Sequence, residues 1–151
     1  MGQSEYAKEI CKLIDTVSNN SSNVLLFGER GTGKRLFAES VHLKNNENFQ
    51  DFFVINCRFY GSEFSNKLNE LKNSLLIQSD SCRTVFFENI DKLKVELQQK
   101  LLIFLKEITD SKCNVRIISS TETFLEQMVQ NNLFNRDLYY FISSIILNFL
   151  P

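Results

Sequence analysis

The sequence predicts an α/β fold in three layers, with a mainly parallel five-stranded sheet covered by helices on both faces. Three observations carry that prediction. Short continuous apolar runs recur at "VLLF", "FFVINC", "RTVFFEN", "VRIIS" and "SIILNF", and unbroken apolar strands of this length are those buried on both faces. Segments with apolar residues at helical spacing separate them, as parallel strands require, because each crossover is right-handed and long enough to hold a helix. The first strand also runs directly into a glycine-rich stretch, "GERGTGKR", with a helix pattern behind it.

The elements follow in order. Tyr6, Ile10, Leu13, Ile14 and Val17 recur at helical spacing until "SNNSSN" breaks the pattern. Val24 to Phe27 is the first strand, and Leu36, Phe37, Val41 and Leu43 space a helix from Lys34 to about Leu43. Phe52 to Cys57 reads as a second buried strand, followed by a less regular helix from Glu63 to about Ile77. Arg83 to Asn89 is a third buried strand ending in polar residues. The clearest helix is expected from Lys94 to Ile108, with Val95, Leu97, Leu101, Leu102, Leu105 and Ile108 along one side. Val115 to Ser119 is a fourth strand, Glu122 to about Asn131 a helix, and Ser144 to Phe149 a fifth strand. No internal repeat or interdomain linker interrupts them.

With 151 residues, 43% hydrophobic and 23% charged, one domain with one core is expected over residues 1–151. The net charge of -1, with scattered basic residues, argues against direct DNA binding by this segment and against an acidic membrane partner. No apolar run approaches the roughly 20 residues that cross a bilayer. The opening "MGQSEYAKEI" lacks the basic and apolar regions of a secretory leader, so a cytoplasmic location is expected. Tyr6 stands where a myristoylation motif starting at Met1-Gly2 wants Ser or Thr. Cys11, Cys57, Cys82 and Cys113 form no C-x-x-C pair and read as reduced, mostly packing residues. His42 is the sole histidine, which argues against zinc binding and against Ser-His or Cys-His catalysis.

Ligands on such sheets sit at the carboxyl ends of the strands, and the chemistry gathers there. Gly28, Gly31 and Gly33 let the loop Gly28-Glu29-Arg30-Gly31-Thr32-Gly33-Lys34-Arg35 curl with its N–H groups inward. The helix behind it presents its positive end to an anion, and Lys34 supplies a point charge for terminal phosphates. Arg35 stands where the phosphate-loop pattern asks for a Ser or Thr hydroxyl that helps hold magnesium. A hydrolase of this type also needs an acid at the end of a neighbouring strand, and "TVFFEN" offers Glu88 and Asn89. Glu88 has the reach for a magnesium-bound water and is the candidate metal residue. Asn89 has no carboxylate and is a poor base for an attacking water. Chemistry should suffer more than binding, and ATP or ADP is the expected cofactor.

The ordered set of segments resembles the central ATPase domain of bacterial enhancer-binding proteins, the AAA+ activators of sigma-54 RNA polymerase, over nearly the whole chain. "GQSEYAKEICKLI" is similar to the family's domain opening, "VLLFGERGTGK" to its phosphate loop and "FFVINC" to its second strand. "TVFFENIDKL" is similar to its Walker B strand, "VELQQKLLIFLKE" to the helix after it and "NVRIISST" to its sensor strand. "LFNRDLYYFI" with "FLP" resembles its arginine-finger region and closing strand. The family commonly carries an acid after the phosphate-loop lysine, so Arg35 departs where the family already relaxes the motif.

Other departures weigh more. The resemblance sets the family's Asp-Glu pair at Glu88-Asn89 and its sensor Thr-Asn at Thr121-Glu122. It sets the two arginine fingers at Asn135 and Phe141, with Arg136 one position off. Fingers neutralise transition-state charge across a subunit boundary, an effect on the order of a thousandfold or more. Asn56 matches the residue that restrains the catalytic Glu, and equally reads as a strand-end Asn serving local backbone groups. The sigma-54 contact loop Gly-Ala-Phe-Thr-Gly-Ala has no counterpart in "RFYGSEFSNKLNELKNSLLIQSDSCR", and the second loop is reduced to "TDSKCN". Beyond the position of Pro151 the family continues into a helical lid, so the expectation is a lidless core, either a minimal protein or part of a longer regulator.

The resemblance therefore implies a nucleotide-binding regulatory module of a transcription regulator, with little or no hydrolysis. Its partners would be nucleotide, a transcription-regulatory protein or neighbouring domains, and further copies of itself. Two other readings stay open. One is an active ATPase with Glu122 in place of the missing acid and Arg136 in place of a finger. The other is a scaffold without nucleotide, using Phe134, Tyr139, Tyr140 and Phe141 as a contact surface, although such aromatics more often pack under a sheet edge.

Overall fold

The computed structural model describes residues 3–77 and 80–151. Met1-Gly2, the start of the myristoylation pattern, and Gln78-Ser79, in the segment before the third strand, lie outside the described residues. In chain order the elements are α1 (Gln3–Ser18), β1 (Val24–Phe27), α2 (Lys34–Asn45), β2 (Phe52–Asn56), α3 (Phe64–Leu76) and β3 (Arg83–Glu88). They continue with α4 (Val95–Asp110), β4 (Val115–Thr121), α5 (Leu125–Gln130), α6 (Arg136–Ile142) and β5 (Ile145–Asn148). The strands lie in the order β2-β3-β4-β1-β5, and every described pairing is parallel.

Strand alternation divides the core between the two faces of the sheet. Leu25, Val85, Phe87 and Ile117 turn toward one face, where they meet Leu71 and Leu75 of α3, Leu101 and Leu105 of α4, and Leu138 of α6. Val24, Leu26, Phe86 and Ile118 turn the other way, toward Val17 of α1 and Phe37, Ala38 and Val41 of α2. Three layers result, as the sequence predicts.

Position in the sheet explains where the sequence reading errs. The central strands β1, β3 and β4 are almost wholly buried, but β2 and β5 are edge strands. Only Ile55 of β2 is fully buried, and β5 alternates half-buried with exposed residues. The reading of β2 as buried on both faces is corrected accordingly. Within α2, Ala38 and His42 are buried while Leu36 and Leu43 face solvent. Within α4, Val95 is exposed, and Gln98 is fully buried among the leucines. Cys57 alone of the four free thiols is buried; Cys11 is exposed, and Cys82 and Cys113 are half-buried.

The C-terminal third holds the largest differences. β4 runs two residues beyond the expected end, to Thr121, and the helix expected from Glu122 is the shorter α5. The sequence reading leaves "RDLYYFI" without an element, yet it forms α6, started by Asn135, whose side chain accepts from Leu138 N at 2.9 Å. Phe134 and Tyr139 are buried on the α6 side and Phe141 half-buried beside them, whereas Tyr140 is exposed.

Three buried polar side chains fix the frame. Arg116, at the start of β4, donates through Nη1 to Val17 O (2.9 Å) and Asn20 O (2.7 Å), and through Nη2 to Ser18 O (3.0 Å). It thereby closes the C-terminus of α1, where helix carbonyls lack intrahelical partners. Arg83, near the start of β3, donates through Nη1 to Ser74 O and Ile77 O, each at 3.1 Å, and closes α3 in the same way. His42 Nε2 donates to Asn48 O at 3.0 Å, and Nδ1 lies 2.9 Å from Thr84 Oγ1.

Candidate functional site

The loop between β1 and α2 opens at the carboxyl edge of the sheet, where β3 and β4 also end. Gly31 (φ 82°) and Gly33 (φ 89°) occupy the left-handed region, which turns the chain back into α2. Gly28 answers a different need: a Cβ there would stand 2.9 Å from Phe149 Cβ and 3.0 Å from Phe149 O. Gly28 N donates to Thr121 O at 3.2 Å, tying the loop to the end of β4, and Thr32 Oγ1 donates to Glu29 O at 2.7 Å. Gly33 caps α2 without a side-chain acceptor, so no cap side chain occupies the first-turn N–H groups.

Lys34 is folded back over the loop. Its Nζ donates to Gly28 O and, at 3.0 Å, to Glu29 O. Burial pulls its pKa below the ordinary lysine value, and the charges of Glu122, Asp91 and Glu88 offset part of that shift.

A cleft of about 230 Å³ lies beside the loop. Four cations border it: Arg30, Lys34, Arg35 and Arg58. Two acids face them, Glu88 and Glu122, and Asn56, Asn89, Ser120 and Phe59 complete the walls with Gly31. Arg35 Nη1 lies 3.9 Å from Glu88 Oε1 while Arg35 Nε lies 3.6 Å from Glu39 Oε1. Arg58 Nη2 lies 3.9 Å from Glu122 Oε1.

The strand-end pair is linked through one side chain. Asn56 Nδ2 donates to Glu88 Oε1 at 3.3 Å, and Asn56 Oδ1 accepts from Asn89 Nδ2 at 3.1 Å and from Arg58 N at 3.1 Å. Asn89 has a left-handed backbone (φ 57°, ψ 49°), a conformation asparagine tolerates better than most residues. Its backbone N–H donates to Ser120 Oγ at 3.1 Å. Asn56 serves both the backbone N–H of Arg58 and the side chain of Asn89.

The cleft gathers Arg30, Gly31, Lys34, Arg35, Glu88, Asn89 and Glu122 from the sequence-predicted set. Gly28, Glu29, Thr32 and Gly33 shape the loop behind it. Thr121 is buried and turned into a local turn, donating to Thr123 O at 2.8 Å and accepting from Thr123 N at 3.2 Å. Asn135 and Phe141 do not line the cleft: Asn135 caps α6, and Phe141 O accepts from Asn23 Nδ2 at 2.8 Å. Arg136 is exposed at the first position of α6. Sequence reasoning missed Arg58 and Ser120. Arg58 stands two residues past the end of β2, on the edge where the other site residues collect, and that offset was the available signal.

The donor set around Glu88 does not match a magnesium site. Magnesium takes six oxygen ligands at about 2.0–2.1 Å, usually one or two carboxylates with waters and substrate phosphates. Glu88 instead faces N–H donors, the guanidinium of Arg35 and the amide of Asn56. The hydroxyl position of the loop is Arg35, and the second acid is Asn89.

The fold is that of P-loop NTPases. NtrX of Brucella abortus, solved in complex with ATP, superposes with a TM-score of 0.75 at 22% identity, covering 99% of this chain and 38% of that one. The P-loop NTPase domain of a sigma-54 transport activator of E. coli gives 0.69 at 20% identity, covering 100% of this chain and 99% of that one. Among curated proteins, a signal-transduction and transcriptional-control protein of Clostridium beijerinckii is 32% identical, covering 96% of this chain and 26% of that protein. The Nif-specific regulatory protein of Rhizobium leguminosarum bv. trifolii is 28% identical over 100% of this chain and 48% of its own length. This chain thus spans between a quarter and a half of these relatives. The Clostridium alignment runs over 167 positions against 151 residues here, so that relative carries residues this chain lacks. No described helix is long and apolar enough to cross a membrane. The model of the Sigma-54 interaction domain matches residues 1–148, and with nearly its whole length covered the chain belongs to that family.

Proposed function

We propose that residues 1–151 form a single nucleotide-binding core that takes ATP or ADP, turns it over little or not at all, and acts as a regulatory module of a sigma-54-activator-like transcription regulator. One observation carries the reading: four cations, Arg30, Lys34, Arg35 and Arg58, converge with only two acids on one cleft beside the N-terminus of α2. Such a cleft suits a polyphosphate, and an arginine fork binds phosphate oxygens in pairs. The NtrX structures with ATP and with ADP support the choice of nucleotide.

Weak turnover follows from the groups that catalysis needs. A base must stand within hydrogen-bond reach of the proton it takes, and the Asn89 side chain is an amide held by Asn56. Glu122 is a poor substitute because Arg58 pairs with it. Binding without turnover suits a part that reports nucleotide state to neighbouring domains, a regulatory partner or further copies of the chain.

Titration with labelled ATP and ADP tests the reading, with Lys34→Ala as control and phosphate release measured in parallel. Saturable binding lost in Lys34→Ala, with phosphate release at background, is the expected result. No saturable binding up to millimolar nucleotide would overturn it.

A further inference from the structure

We propose that this site holds its nucleotide without a divalent cation, the Arg35 guanidinium taking the charge role of the missing ion. The inference rests on the nucleotide-binding reading and adds the form in which the ligand binds.

Arg35 leaves the first turn of α2 and reaches Glu88, the strand-end carboxylate at which a phosphate-loop protein would place its ion. The guanidinium sits between two acids: Nε lies 3.6 Å from Glu39 Oε1, and Nη1 lies 3.9 Å from Glu88 Oε1. The guanidinium borders the cleft with N–H groups to spare, since arginine carries five donors. A metal ion entering beside Glu88 would meet this positive charge and the Asn56 amide, which already donates to Glu88 Oε1 at 3.3 Å.

Thr32 Oγ1 donates to Glu29 O at 2.7 Å, and Ser120 Oγ accepts from Asn89 N at 3.1 Å. The cleft therefore offers a bound anion the chain's own cations in place of a free one. Guanidinium is permanently charged and its planar fork matches phosphate oxygens, so Arg35 suits this role better than a lysine would.

Fluorescent ADP and ATP are titrated into the full 151-residue chain, once in excess EDTA and once in millimolar magnesium, and the series is repeated with Arg35→Thr and Arg35→Lys. The native chain should bind with affinities in EDTA and in magnesium that agree within a few-fold. Arg35→Thr should lose about tenfold or more in EDTA, the worth of one charge-assisted hydrogen bond, while Arg35→Lys loses less. Circular dichroism confirms that both variants fold, as expected for an exposed side chain. Native binding that needs magnesium overturns the proposal and leaves nucleotide binding standing, as does unchanged EDTA affinity in Arg35→Thr. Absence of saturable binding under both conditions instead overturns the nucleotide-binding reading, and this proposal falls with it.

Discussion

The side chain of Asn89 is committed to Asn56: its Nδ2 donates to Asn56 Oδ1 at 3.1 Å, and the same Asn56 donates to Glu88 Oε1 at 3.3 Å. One asparagine therefore orients both residues of the strand-end pair. Placing an acid at position 89 would not by itself create a catalyst, because Asn135 and Phe141 occupy the finger positions implied by the family resemblance. Asn89→Glu is expected to leave phosphate release at background in a coupled assay, and steady turnover by that variant would contradict this. Asn89→Gly should stay folded, whereas Asn89→Ala should lose about 1–2 kcal/mol to left-handed strain, as read from urea unfolding.

Gly28 and Gly33 are required for different reasons, and alanine scanning should separate them. At Gly28 a methyl group meets Phe149 at 2.9 Å with backbone behind it, so Gly28→Ala should cost about 1–3 kcal/mol as overpacking and displace the loop. At Gly33 a Cβ would have no neighbour within 4 Å, and the backbone at φ 89° carries the strain alone. Gly33→Ala should cost about 1–2 kcal/mol. Urea midpoints and nucleotide titrations of both variants check these outcomes.

Arg116 joins β4 to the end of α1 through three carbonyls. Arg116→Ala should destabilise the domain by about 2–3 kcal/mol, within the range for buried hydrogen bonds to a charged group. Arg116→Lys keeps the charge without the fork, and its urea midpoint should fall between those of the native chain and the alanine variant.

Tyr139 donates to Glu126 Oε1 at 2.8 Å, and burial together with that carboxylate pushes its pKa up to about 12 from 10. Between those values the folded state keeps a proton that the unfolded state has released, so stability should fall as pH rises through that window. The contribution is fully present below pH 10. Denaturation midpoints of native and Tyr139→Phe proteins, followed from pH 9 to 12, should show a slope in the first that the second lacks.

Periodicity and the glycine motif made the layers legible, together with the first strand to the residue and the edge on which the site lies. The sequence could not give position within the sheet: "FFVIN" looks as apolar as "TVFFE", yet the first is an edge strand and the second central. It also hid α6, because Tyr139-Tyr140-Phe141 breaks a simple amphipathic pattern and the start signal is one asparagine that the family comparison assigns to another role. Within the site, the loop and strand ends were legible. Arg58 was not, since its role depends on the turn after β2. Nor could the pairing of Arg35 with Glu88 be read, because those residues are 53 positions apart and meet only in the folded sheet.

Asn135 has a wider consequence through its neighbours. Its backbone N–H donates to the buried Gln98 Oε1 at 2.7 Å, its Nδ2 to Gln99 Oε1 at 3.1 Å, and its Oδ1 caps α6. An arginine at this position would give up that cap, about 1 kcal/mol, before supplying charge to any neighbouring subunit. A glutamate at position 89 would meet left-handed strain before it had a finger to work with. Each of these two substitutions therefore runs uphill in stability, and the two asparagines together would act as a pawl on the non-hydrolysing form proposed above.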